Sequence, residues 1–262
     1  MNSKEDLIFI QKILKVFDLK KGDKILINSD LLNTFLKFKK SSINFNPNLI
    51  IDNLIDIITD TGTILIPTFN WDFCKGLGFN YYQSKSMSGS LGNIALKRKD
   101  FSRSKNPIFN FCVFGKDKEY ICELEHKSCF NLDSPFGHLI KNNGKNLFID
   151  VDYKDAFTFV HLAEQQIGVN YRYLKKFSGS YLDKSKNESK IEFEMYVRNR
   201  KEASRTTISP NFDKVLIDHN AYQRKVLEGI NLIALDIKKT YNLMLEDLRS
   251  GKGMIYPEII KD

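Results

Sequence analysis

The chain holds four histidines, His126, His138, His161 and His219, and His161 is followed three residues on by a carboxylate, Glu164. His161 lies in Phe157-Thr158-Phe159-Val160-His161-Leu162-Ala163-Glu164. On a helix, positions three apart share a face. Glu164 could therefore hold the imidazole in one tautomer and stabilise its cation. Imidazole is also the side chain suited to move a proton near neutral pH. Taken alone, however, a His with a Glu three residues on is more often a surface pair than a site. His138, in Ser134-Pro135-Phe136-Gly137-His138, reads as a turn residue, and His126 and His219 stand in charged surroundings that read as solvated. Cys74, Cys112, Cys122 and Cys129 form no C-x-x-C pair and read as reduced thiols.

Other chemistries find no support. There is no H-E-x-x-H or Cys/His cluster for zinc, so no metal is expected. There is no phosphate-cradling G-x-x-x-x-G-K-[ST] and no G-x-S-x-G elbow. Gly76-Leu77-Gly78 lacks the third glycine of a dinucleotide fingerprint, and Ser178-Gly179-Ser180 is a turn. The aromatic residues fall at core spacing and form no base-stacking motif. The net charge of +8 favours anionic partners in general, coenzyme A and nucleotide-sugars among them. But Lys and Arg are scattered, which fits a solvated surface equally well. The opening Met-Asn-Ser-Lys-Glu-Asp is not a signal peptide, and no apolar stretch nears the roughly 20 residues of a membrane span. The expectation is a cytoplasmic protein with no membrane or nucleic-acid partner.

The elements that must position these groups follow from hydrophobic spacing. Leu7, Ile10, Leu14 and Phe17 recur at helical spacing, Ile25-Leu26-Ile27 is a short buried strand, a helix follows Pro47, and Thr63–Ile66 is a strand stopped by Pro67. Such alternation argues for an α/β sheet with functional loops at strand carboxyl ends, here Asn28-Ser29-Asp30 and Pro67-Thr68-Phe69. Residues 70–105 read as a long functional loop region with a short helix near 94–99. Phe109, Phe111 and Val113 read as a strand, 147–151 as another, 156–167 as a helix, 191–197 as a half-exposed strand and 221–248 as a helix. Residues 180–190 and 199–210 read as surface. With 42% hydrophobic residues and no linker or repeat, residues 1–262 read as one domain.

In order along the chain, several segments resemble the aminoglycoside 3-N-acetyltransferase family. They are Asp23-Lys24-Ile25-Leu26-Ile27-Asn28-Ser29-Asp30-Leu31, Gly62-Thr63-Ile64-Leu65-Ile66-Pro67-Thr68-Phe69, Gly89-Ser90-Leu91-Gly92-Asn93, Arg103-Ser104-Lys105-Asn106-Pro107 and Ser134-Pro135-Phe136-Gly137. Thr158, His161, Ala163 and Glu164 follow, then Asn170-Tyr171-Arg172-Tyr173 with Lys175 and Phe177. The likeness covers roughly residues 5–180.

The resemblance implies a three-layer α/β/α sandwich with a central mixed sheet and peripheral insertions. It implies an N-acyltransferase that moves an acetyl or other acyl group from acyl-CoA to an amine by direct attack. His161 becomes the general base, with Glu164 beside it. Acyl-CoA would lie among Ser29, Asp30, Leu31, Pro67, Thr68, Phe69, Ser134, Pro135 and Phe136, and the amine substrate near Thr158, Tyr171 and Arg172. The family commonly has histidine where this chain has Asn28 and Asn106, and Ser-Ser where it has Ser29-Asp30, which puts the contacts in question but not the base. The net charge suits a nucleotide-linked amino sugar as acceptor. An aminoglycoside is the alternative, and a catalytically lapsed CoA- or sugar-binding protein is the non-enzyme reading. A homo-oligomer stays open.

Overall fold

The computed structural model describes residues 4–40, 45–203, 205–206, 208–255 and 259–260. In chain order the elements are α1 Lys4–Lys15, β1 Lys24–Ser29, α2 Leu31–Lys40, α3 Asn48–Ile58, β2 Thr63–Pro67, β3 Phe79–Asn80, α4 Ser90–Ala95, β4 Ser102–Arg103, β5 Phe111–Gly115, α5 Lys118–Glu123, α6 Pro135–Lys141 and β6 Lys145–Ile149. Then come α7 Tyr153–Ala156, α8 Val160–Ile167, β7 Arg172–Leu182, β8 Glu188–Arg198, β9 Arg205–Thr206, α9 Pro210–Asp218, β10 Tyr222–Leu227, β11 Ile230–Asp236, α10 Ile237–Ser250 and β12 Ile259–Ile260.

A seven-stranded sheet in the order β10-β11-β6-β1-β2-β5-β4 forms the middle layer. β6, β1 and β2 run parallel, and antiparallel strands flank them on both sides. Strand residues alternate between faces, and the apolar runs obey this parity. Ile25, Ile27, Ile64, Ile66, Leu147 and Ile149 pack into one core with α1, α3 and α4. Leu26, Leu65 and Phe148 pack into the other with α6, α8 and α10. The result is the expected three-layer α/β/α arrangement around a mixed sheet. A second sheet, β3-β7-β8, projects as a long hairpin whose β8 is half exposed.

Four expectations need correction. Residues 221–248 are not one helix: 222–236 fold as the hairpin β10–β11, which extends the central sheet, and only α10 is helical. Ser134–His138 is not a turn but the start of α6, with Ser134 as its cap. The short helix of the 70–105 region starts earlier than expected, as α4. His126 is buried, not solvated, with Nδ1 2.9 Å from the Ser128 carbonyl. Residues 180–190 form the tip of the β7–β8 hairpin and are largely exposed, as expected. The surface reading of 199–210 falls partly outside the described residues, at 204 and 207.

The long 70–105 region is held by a buried arginine. Arg103 donates to Asn110 Oδ1 (2.8 Å), the Ser84 carbonyl (2.7 Å) and the Tyr81 carbonyl (3.1 Å), and covers the Phe79 ring. Asn106 accepts from the amides of Ile108 and Phe109. These contacts satisfy loop groups that burial would otherwise leave unpaired.

Candidate active site

Asp152 caps α7 by accepting from the Lys154 amide. The chain then turns through Phe157-Thr158-Phe159, and His161 falls in the first turn of α8, its amide bonded to the Thr158 carbonyl. Gly168, at φ +72°, ends the helix four residues past Glu164 and donates to its carbonyl. Tyr171 and Arg172 follow at once, so the end of α8 and the start of β7 enclose one carboxylate.

That carboxylate is Glu164, which is fully buried. Its Oε2 lies 2.7 Å from His161 Nδ1 and 2.8 Å from Arg172 Nε, and its Oε1 accepts from the Tyr171 hydroxyl at 3.2 Å. Burial pushes the carboxyl up, but hydrogen bonds and charge from His161 and Arg172 outweigh it and hold Glu164 below its ordinary range. It is ionised, so it accepts from Nδ1–H and leaves Nε2 of His161 with a free lone pair. Burial pulls the His161 pKa below its usual 6.5, and Glu164 opposes this only in part. His161 is thus neutral at pH 7. Its ring packs edge-on against Phe130, and its side chain keeps 27% exposure towards a cleft.

The cleft holds about 240 Å³ and is lined by Lys154, Asp155, Thr158, His161, Arg172, Arg198 and their neighbours. A second cleft, about 540 Å³, opens at the carboxyl edge of the parallel strands. Ser29, Asp30, Leu31, Leu32, Phe69 and Trp71 line it. Asp155, Ala156 and Thr158 border both clefts, so the two meet beside His161.

The structure therefore brings His161, Glu164, Tyr171, Arg172 and Thr158 together, and sets Ser29, Asp30, Leu31 and Phe69 around the adjoining cleft. Pro67, Thr68, Ser134, Pro135 and Phe136 line neither cleft. Thr68 is buried against Asn110, and Ser134, Pro135 and Phe136 build α6 and the core beneath it. Asn28, where the family commonly has histidine, bonds Asn146 on the neighbouring strand but also reaches the larger cleft. Sequence reasoning missed Lys154, Asp155, Arg198, Leu32 and Trp71. Arg198 could have been found only from the β7–β8 register, which sets it opposite Arg172.

Two further observations narrow the chemistry. Burial raises the thiols of Cys112, Cys122 and Cys129 to about 12 and that of Cys74 to about 11, so none is poised as a thiolate. A third cleft, about 390 Å³ beside β3 and the hairpin tip, is lined by Asp72, Phe79, Asn80, Ser180, Tyr181, Glu188 and neighbours, with no histidine or lysine among them. Among the described residues, no group of three or more His, Cys, Asp or Glu is placed to hold a metal ion, and no helix is long and apolar enough to cross a membrane.

The mixed α/β sandwich thus carries a buried Glu–His pair where two clefts meet. Residues 38–247 match the sequence profile of the aminoglycoside 3-N-acetyltransferase family, and the chain belongs to that family. A curated relative, the SPbeta prophage-derived aminoglycoside N(3')-acetyltransferase-like protein YokD of Bacillus subtilis (strain 168), is 27% identical over 60% of this chain. The match spans 64% of that relative, just under two thirds of its length. The solved structure of aminoglycoside acetyltransferase AAC(3)-Xa superposes with a TM-score of 0.75 at 15% identity, covering 96% of this chain and 94% of its own. The structure of AAC-IIIb, described as a binary complex with CoASH, gives 0.73 at 14% identity, covering 94% and 96%. That of YokD from Bacillus subtilis gives 0.70 at 20%, covering 94% and 98%.

Proposed function

We propose that this chain transfers an acetyl or other acyl group from acyl-CoA to an amine of a sugar-like acceptor, with His161 as general base. The observation that carries this is the 2.7 Å contact between His161 Nδ1 and the buried Glu164, where two clefts adjoin. Family membership supports the reaction class.

In this reading acyl-CoA occupies the larger cleft. Leu31, Leu32, Phe69 and Trp71 offer apolar wall for its pantetheine arm, and Ser29 and Asp30 offer polar contacts. The acceptor enters the smaller cleft. His161 Nε2 takes a proton from the acceptor nitrogen, whose lone pair attacks the thioester carbonyl carbon. The C–N bond forms, the C–S bond breaks, and His161 returns the proton to the leaving thiolate. Donors aimed at the transient oxyanion are worth about 3–4 kcal/mol each. The Thr158 hydroxyl, bordering both clefts, is the candidate. Glu164 stabilises the imidazolium while His161 holds the proton. No acyl-enzyme is needed, and the raised cysteine pKa values agree with that. Residues 1–262 would act as one catalytic domain in the cytosol, where acyl-CoA is made and thiols stay reduced.

For the acceptor, a nucleotide-linked amino sugar suits the cation-rich lining of the smaller cleft. An aminoglycoside is the second reading, favoured by the relatives' names. The test is free-thiol release from acetyl-CoA with a panel of both acceptor types. Release that His161→Ala cuts by about 10²–10⁴, the range proton transfer supplies, with acyl-CoA affinity kept, supports the mechanism. Release only with aminoglycosides selects the second reading, and no release with any acceptor and several acyl-CoAs overturns both.

A further inference from the structure

An amine that must reach His161 meets mostly positive charge on the way. Lys154, Arg172 and Arg198 line the smaller cleft with it. Burial and the charges of both arginines work against a proton on His161, and the same positive field repels an approaching ammonium. Asp155 is the only carboxylate among the lining residues, and it also borders the larger cleft. It stands in α7, three residues before Thr158, where the two clefts meet. The carboxylates around it have folding tasks. Asp152 accepts from the Lys154 amide, Asp213 bonds the Tyr153 hydroxyl and Lys154, Glu164 bonds His161, and Asp30 accepts from the Leu32 amide. Asp155 is exposed, and among the described residues no hydrogen bond or ion pair engages its carboxylate. A negative group with no folding task, set among cations at the meeting point of two clefts, suits a ligand of opposite sign. Charge-assisted bonds from an ammonium to a carboxylate are among the stronger hydrogen bonds available.

We propose that Asp155 is a specificity-determining residue of the acceptor site, whose carboxylate accepts N–H bonds from the ammonium that is to be acylated and turns that end of the acceptor towards His161. The proposal rests on the acyltransfer reading for the fate of that amine and not for its binding. In that reading the bound ammonium loses one proton to water and a second to His161 Nε2 as its nitrogen attacks. The same carboxylate would accept equally from an amide N–H of the acyl donor, so the test must separate the two sources.

Glucosamine serves as probe, and N-acetylglucosamine, whose nitrogen carries no charge, as its control. Both are titrated at low salt, followed by ligand-observed NMR, into the full chain and into Asp155→Asn and Asp155→Glu. The expected result is glucosamine binding to the wild type, a loss of about tenfold in Asp155→Asn and an intermediate affinity in Asp155→Glu. N-acetylglucosamine should not distinguish the three proteins, and acetyl-CoA should bind all three equally. Asp155→Asn should melt with the wild type, as a substitution at an exposed position. In turnover it should raise KM for the acceptor and leave KM for acetyl-CoA unchanged. Equal glucosamine affinity in wild type and Asp155→Asn overturns the proposal, and so does absence of binding to the wild type. A loss of acetyl-CoA affinity in Asp155→Asn also overturns it, because the carboxylate would then belong to the donor. An equal loss for both sugars overturns it too, since the ammonium would not be what is recognised. The binding experiments need no turnover. Asp155-dependent glucosamine binding without thiol release would leave this inference standing while the acyltransfer reading fell.

Discussion

Glu164 is ionised in the protein interior because His161 and Arg172 outweigh the cost of its burial, and this arrangement makes its charge separable by mutation. His161 bonds Oε2, the Arg172 guanidinium lies 2.8 Å from the same oxygen as an ion pair, and Tyr171 donates at Oε1. In Glu164→Gln the amide oxygen takes the position that faces His161 and the Arg172 cation, and the amide nitrogen then faces the Tyr171 hydroxyl, which can accept. The His161 tautomer is thereby kept and the charge alone is lost. In the wild type, activity should fall as pH drops through a His161 pKa set below 6.5 by burial. Glu164 raises that pKa, so removing its charge lowers it further. The acid limb of kcat/KM in Glu164→Gln should therefore move to lower pH, with a plateau reduced less than in His161→Ala. An unmoved limb would mean that another group titrates. At this scale the sequence was informative where spacing is local. His161 and Glu164 stand three apart on one helix and could be paired on sight. Arg198 could not, because its place beside Arg172 depends on the register of a hairpin with eleven-residue strands.

Elements explain why one family-like motif sits away from the clefts. In Ser134-Pro135-Phe136-Gly137 each residue has a folding task. The Ser134 hydroxyl accepts from the Gly137 amide, Pro135 occupies the first turn, and Phe136 fills the core against Phe111 and Phe159. A Cβ on Gly137 would lie 2.1 Å from the Leu132 carbonyl oxygen, so backbone would have to move. Ser134→Ala should cost about 1 kcal/mol, a Tm drop of roughly 2–4 °C for a chain of this size, and Gly137→Ala should cost more. Acyl-CoA affinity of the folded Ser134→Ala protein should be unchanged, and a tenfold weakening would restore a donor-binding role for this motif. The alternation of helix and strand over the first seventy residues was legible because each strand is a short apolar run bounded by a turn. The β10–β11 hairpin was not. β11 is buried on both faces at Ile230, Leu232, Ile233 and Leu235, and such a run looks the same as a buried helix segment. The signal was Glu228-Gly229, both at positive φ (50° and 75°), a two-residue loop between the paired Leu227 and Ile230.

Across the whole molecule the sheet divides its labour between its two edges. The carboxyl edge of the parallel strands opens into the larger cleft. The amino edge is closed by a half-hidden ionic cluster. Asp117, just before α5, accepts from Lys24 at the start of β1 and lies 2.9 Å from His138 Nε2 on α6, while its amide donates to Thr63 Oγ1 on β2. One residue thus ties the start of α5 to β1 and α6 through its carboxylate and to β2 through its amide. Burial pushes its carboxyl up, but the bonds from Lys24 and His138 win, and it sits below its ordinary range. A carboxyl depressed in the folded state contributes stability above its unfolded pKa of about 3.9, and that contribution is lost as pH falls through the folded value. Asp117→Asn also leaves the poorly exposed Lys24 ammonium without its carboxylate, which costs more than the pair itself contributes. Thermal melts of Asp117→Asn should therefore show a Tm several degrees below wild type at pH 7. The gap should narrow as pH is lowered beneath about 3.9, where the wild-type carboxyl also becomes neutral. Because the cluster lies at the edge opposite His161, the folded variant should keep its acyl-CoA affinity and its kcat. A pH-independent Tm gap would assign the loss to packing and not to charge. A fall in kcat below the melting range would show that the two edges of the sheet are coupled.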